Sequence, residues 1–68
     1  RDESLVAMGI GARCFIKNAR LDKNCRIAND VRINGGKHLK DTDTDVYTIK
    51  DGIVVVKKGA VIPNGFII

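Results

Sequence analysis

Apolar residues along this chain fall in pairs. Each pair is an inward small or apolar residue followed two positions later by a branched aliphatic. The first block reads Cys14/Ile16, Ala19/Leu21, Cys25/Ile27 and Val31/Ile33, whose first members advance by 5, 6 and 6 residues. A second block, Val54/Val56, Ala60/Ile62 and Phe66/Ile68, advances by 6 and 6. Turn formers separate the pairs: Asp22-Lys23-Asn24, Ala28-Asn29-Asp30, Lys57-Lys58-Gly59 and Pro63-Asn64-Gly65. Asn, Asp and Gly tolerate the positive φ of tight corners, and Pro presets φ. A two-residue inward beat, a corner and a return every six residues is the hexapeptide pattern of a parallel β-helix. Each short strand buries alternate side chains in a narrow core and stacks on the strand one coil before. Alternation by itself also fits an antiparallel meander, and the regular spacing in two blocks favours the β-helix.

Residue types point the same way. Val and Ile number sixteen against three Leu and one Met, and β-branched side chains fit pleated surfaces better than helices. No stretch of about a dozen residues holds a Gly-free helical apolar period, so little or no α-helix is expected. The expected coils are 9–33 and 53–68, with a polar, turn-rich insertion at 34–52. Within it Val46-Tyr47-Thr48-Ile49 reads as a short strand, or as a segment packing Tyr47 and Ile49 on the outside of the coil. So short a solenoid leaves unpaired strand edges and needs a cap, a partner or more chain.

Size and charge narrow the function classes. Sixty-eight residues make one small domain, marginal alone and too small for a two-domain catalytic cleft. With 12 Lys+Arg against 8 Asp+Glu the formal charge is +4. The excess is spread out, so a small anionic partner fits better than nucleic acid. No segment is apolar for long enough to span a bilayer as a helix. The opening Arg1-Asp2-Glu3-Ser4 carries no signal-peptide pattern and no initiator Met, and a start within a longer or processed protein is expected. Two Cys are too few for a disulfide scaffold and read as reduced thiols, small core residues at inward positions.

Candidate chemistry is sparse. Asp41-Thr42-Asp43-Thr44-Asp45 resembles the start of an EF-hand loop, but Val46 and Gly52 stand where Gly and Glu are required. His38 is the only histidine, and no zinc site or Cys/His dyad is expected. Gly9-Ile10-Gly11 is too short for a dinucleotide fingerprint and reads as the opening turn of the first coil. No carboxylate pair stands out as an acid/base couple, so no catalytic residue and no cofactor is expected in the chain. Lys23 and Lys58 sit in corner turns, where ordered lysines can converge on a phosphate.

These words resemble the C-terminal end of plant-type ADP-glucose pyrophosphorylase (glucose-1-phosphate adenylyltransferase). The resemblance lies in Leu21-Asp22-Lys23-Asn24-Cys25-Arg26-Ile27, in Asp51-Gly52-Ile53-Val54-Val55-Val56, in Ile62-Pro63-Asn64-Gly65 and in Met8-Gly9-Ile10-Gly11. It covers nearly the whole chain, in order. It implies an all-β, left-handed parallel β-helix, the C-terminal domain of a larger subunit whose nucleotidyltransferase domain is absent here. It further implies a Mg2+-dependent parent reaction making ADP-glucose for starch synthesis, a heterotetramer of large and small subunits, and a plastid location, or the cytoplasm in a bacterium. By the same resemblance Asp22, Lys23 and Lys58 belong to an effector site for 3-phosphoglycerate and phosphate, completed by arginines of the missing domain. Departures from the family pattern at Arg20, Cys25, Asp51 and Lys57 point to a large subunit. Two other readings stay open: a hexapeptide-repeat acyltransferase, for which His38 is a poor base, and a basic β-barrel of the OB type binding single strands. Only Phe15, Tyr47 and Phe66 could serve such a barrel as stacking platforms.

Overall fold

A computed structural model describes residues 9–68. Arg1–Ser4 and Met8, which entered the reading above, lie outside the described residues. Eight strands are present among the described residues and no helix: β1 Phe15–Lys17, β2 Ala19–Leu21, β3 Arg26–Ile27, β4 Arg32–Asn34, β5 Thr42–Asp43, β6 Tyr47–Lys50, β7 Ile53–Val56 and β8 Val61–Ile62.

The chain winds over three faces, each a parallel ladder. Ile10 bridges Ile27 of β3, and β3 pairs with β8, forming the first face. β1 pairs with β4, and Arg32 bridges Ile67, forming the second. β2 pairs with β7 on the third. Parallel pairing from coil to coil is what a solenoid requires, and it removes both the antiparallel meander and the OB-type barrel as architectures.

Because register is kept, like side chains stack in columns. Ile10, Ile27 and Ile62 form one column; Ile16 stacks on Ile33; Ala19 stacks on Val54 and Leu21 on Val56. The inward members Ile33, Val54, Val56 and Ile62 are fully buried, whereas the outward Val61 is 61% exposed. Cys25 and Ala60 are both buried where Arg26 pairs with Val61. Small side chains at those two positions suit the narrow bend.

Corners are set by single left-handed residues. Arg13 (φ 59), Asp30 (φ 59) and Gly65 (φ 75) turn one corner in three successive coils. Asn24 (φ 60) and Gly59 (φ 74) turn another. At the first of these corners Asn29 Oδ1 accepts from the Ala12 N–H at 2.9 Å, and Asn64 Oδ1 accepts from the Asn29 N–H at 2.9 Å. These side chains satisfy corner amides that no ladder reaches.

The insertion is more ordered than a loop. Pairing offsets are 17 residues before it and 35 across it, and the difference of 18 is the length of 35–52. Asn34 itself belongs to β4. β6 runs antiparallel to β7, with Lys50 opposite Ile53, and β5 pairs with β6. Asp51 (φ 53) and Gly52 (φ 82) make the connecting two-residue turn, the Asp-Gly hairpin whose twist matches its strands. The third face therefore reads β2-β7-β6-β5. β6 lies beside β7 where a further coil would stack, so it covers that sheet edge. Ile49 is buried against the core, opposite Val54, instead of resting on the outside of the coil.

Candidate functional site

The corner between the third and first faces carries Asp22-Lys23-Asn24 in one coil and Lys57-Lys58-Gly59 in the next. Leu21 pairs with Val56 and Arg26 with Val61, the same 35-residue offset, so Lys58 lies under Lys23 and Lys57 under Asp22. Strand spacing puts their backbones about 5 Å apart. The Gly59 N–H donates to the Lys23 carbonyl at 2.9 Å and ties the two turns together.

Local chemistry explains the turn. The Asp22 N–H continues the ladder to the Val56 carbonyl at 3.0 Å. The Asp22 carboxylate then accepts from the Lys23 N–H at 2.6 Å, as short polar side chains do at turns. Asn24 takes the left-handed conformation, and Cys25 re-enters the core. Asp22 is thus held as a turn former beside the lysines.

Lys23 and Lys58 are exposed, and neither has a side-chain hydrogen bond or ion pair among the described residues. Two ammonium groups one coil apart repel weakly in water, and a bound oxyanion would relieve that repulsion. Beside them, Arg20, Leu21, Asp22 and Val55 line an open hollow on the outer side of the third face. Leu21 and Val55 give it aliphatic surface, and Arg20 and Asp22 bring one charge of each sign. Lys57 is engaged elsewhere, with Nζ 3.0 Å from Asp43 Oδ1 of β5.

The remaining candidates serve the fold. Asp41 Oδ1 accepts from the Asp51 N–H at 3.0 Å, and Asp43 holds Lys57, so two members of the acidic run support the hairpin. Among the described residues no three His, Cys, Asp or Glu side chains gather as a metal site would require. His38 is exposed within the insertion. The Cys14 thiol donates to the Ala28 carbonyl at 3.1 Å. Burial pushes the Cys25 thiol up from its ordinary pKa, which disfavours the reactive thiolate. The Asp43–Lys57 contact was not anticipated from the sequence. Asp51-Gly52 between apolar runs was the available signal, since it folds Tyr47–Lys50 back on Ile53–Val56 and carries Asp43 toward Lys57.

Three parallel ladders around stacked aliphatic columns, with one cationic corner, define a parallel β-helix module. Residues 1–67 match the family described as the GLGC left-handed parallel beta-helix domain, and the chain belongs to that family. It is also 40% identical over 65 residues to a maize (Zea mays) protein named glucose-1-phosphate adenylyltransferase small subunit, covering 93% of this chain and 52% of the relative. The chain spans about half the length of that curated relative.

Proposed function

We propose that this chain is the C-terminal regulatory and oligomerisation domain of a glucose-1-phosphate adenylyltransferase, the nucleotidyltransferase that makes ADP-glucose and pyrophosphate from ATP and glucose 1-phosphate. Family membership and the maize relative support the parent activity. Lys23 and Lys58 bind an anionic effector, 3-phosphoglycerate or phosphate, and Asp22 orients their turn. The observation that carries this reading is the register that stacks Lys58 under Lys23.

The proposed mechanism is electrostatic. A phosphate bridging both ammonium groups gains charge-assisted hydrogen bonds and removes a like-charge contact. Arginines of the catalytic domain complete the site, so the effector draws the two domains together. Mg2+ serves the catalytic domain. The parent is a heterotetramer of large and small subunits in a plastid, or its bacterial counterpart in the cytoplasm. Arg20, Cys25, Asp51 and Lys57 depart from the family pattern and support a large subunit here, although the maize relative is a small one.

The test is ADP-glucose synthesis by the intact parent enzyme, titrated with 3-phosphoglycerate, for wild type, Lys23→Ala and Lys58→Ala. A hydrogen bond to a charged group contributes about 1.5–3 kcal/mol. Each variant is therefore expected to raise half-saturation about tenfold or more while keeping turnover at saturation. Superimposed curves would leave the lysines as surface charge and the domain as a subunit contact. Absence of ADP-glucose would remove the parent activity.

A further inference from the structure

We infer that Asp43 tunes the anion affinity of the corner by holding Lys57 away from it, an inference that rests on the reading of Lys23 and Lys58 as the anion ligands. Lys57 is the immediate neighbour of Lys58 and lies under Asp22 in the stacked turns. By position it is a third cation of the same corner. Its backbone is fixed there, because its N–H donates to the Val46 carbonyl at 2.9 Å. Its ammonium group is drawn elsewhere, to Asp43 Oδ1 at 3.0 Å.

Sheet order gives the direction of that pull. The third face runs β2-β7-β6-β5. Asp22 and Lys23 follow β2 on one side of β7, and Asp43 lies on β5, beyond β6 on the other side. The ion pair therefore directs the Lys57 side chain across β6 and away from Lys23. It also neutralises the charge. Asp22, Lys23, Lys57, Lys58 and Asp43 sum to +1, and to +2 once Asp43 is made neutral.

The pair is weak enough to serve as a tuner. The Asp43 and Lys57 side chains are 80% and 39% exposed, and an exposed pair contributes little and is screened by salt. An anion with two charges at the corner competes with Asp43 for the same ammonium group. Asp43 thus sets how much anion is required before Lys57 changes partner. It acts through Lys57 and is a positioning residue.

The experiment uses the intact parent enzyme and reads half-saturation by 3-phosphoglycerate, and displacement by inorganic phosphate, at low and at physiological ionic strength. Asp43→Asn is expected to lower half-saturation about two- to fivefold, the size of a surface charge interaction, with the gain shrinking as salt rises. Turnover at saturation stays unchanged. Adding Lys57→Met to Asp43→Asn is expected to return half-saturation to the wild-type value. Asp30→Asn removes the same charge at a different corner and is expected to leave half-saturation unchanged. The inference is overturned if Asp43→Asn has no effect, if its effect persists without Lys57, or if Asp30→Asn matches it. Lys23→Ala and Lys58→Ala separate the two levels. If they shift half-saturation and Asp43→Asn does not, the tuning fails alone. If they do not shift it, the effector site fails as well.

Discussion

Tyr47 meets Phe66 edge to face, with ring centroids 5.9 Å apart and an interplanar angle of 65°. One ring belongs to β6 of the insertion and the other to the segment after β8. Tyr47 lies opposite Val56 of β7, so the inserted hairpin is fastened both to the strand that follows it and to the next coil. The insertion is a structural part of the solenoid.

That contact sets the first prediction. Aromatic pairs in this geometry contribute about 0.5–1.5 kcal/mol beyond their buried area. Tyr47→Ala and Phe66→Ala are each expected to speed amide exchange in β6 and β7 of the intact protein. The double variant is expected to fall short of the sum by about 1 kcal/mol, the coupling a double-mutant cycle reads. Strict additivity would show that the rings only fill space. Tyr47→Phe is expected to be near neutral, because the edge-to-face contact survives it.

Two glycines with similar backbones make the second prediction. Gly52 (φ +82) and Gly59 (φ +74) both occupy the left-handed region. A Cβ on Gly52 would come within 2.7 Å of the Gly36 backbone, whereas a Cβ on Gly59 would meet nothing within 4 Å. Gly59→Ala therefore carries only the conformational cost, about 1 kcal/mol. Gly52→Ala adds a backbone clash at the hairpin turn and is expected to cost about 2–3 kcal/mol more, with loss of the β6–β7 pairing. Circular dichroism and exchange of the Ile53–Val56 amides check the contrast. Equal effects at both sites would show that the turn yields freely.

The coils were legible because a period of two along each strand, in a core this narrow, leaves little freedom about which side chain points inward. The pattern places Cys14, Ala19, Cys25 and Ala60 as small inward residues, and Ala19 is half-buried. Cys25 and Ala60 are buried and Cys14 is half-buried. Periodicity carries no handedness, so the left-handed sense came only from the resemblance at Asp22-Lys23-Asn24 and Pro63-Asn64-Gly65. The stacking of Lys58 under Lys23 was hidden by the insertion, whose 18 residues turn a 17-residue offset into 35. Once β2 is known to pair with β7, the two lysines coincide. The Asp43–Lys57 pair was further from reach, because it depends on the register of two hairpin turns in succession and on the reach of a long flexible side chain. Arg32 lies over the Phe15 ring, 4.5 Å from its centroid, for a comparable reason: outward residues stack as faithfully as inward ones.

The last prediction concerns pH. At the corner between the first and second faces, Arg13 Nε lies 2.6 Å from Asp30 Oδ1, and an Arg13 Nη lies 3.0 Å from Asp30 Oδ2. The hydrogen bond from Arg13 holds the Asp30 carboxyl below its ordinary pKa, and the Arg13 guanidinium is raised in turn, first by that same bond. The signs follow from which state binds protons more tightly. Asp30 is the more acidic in the folded chain, so its stabilisation is fully present above the unfolded carboxylate pKa. It is lost as pH falls through the depressed folded value. Arg13 is the more basic when folded, so its share persists until strongly alkaline pH. Asp30→Asn isolates the charge, because Asn also accepts the left-handed φ of 59 found here. The variant is expected to melt slightly below wild type at neutral pH, and the gap should close on acidification as Asp30 of the wild type takes up its proton. Both groups are exposed, so 0.5 M salt should also narrow the gap at neutral pH. A melting gap that stayed constant from neutral to acid pH would assign the loss to corner geometry and remove the ion pair from the account.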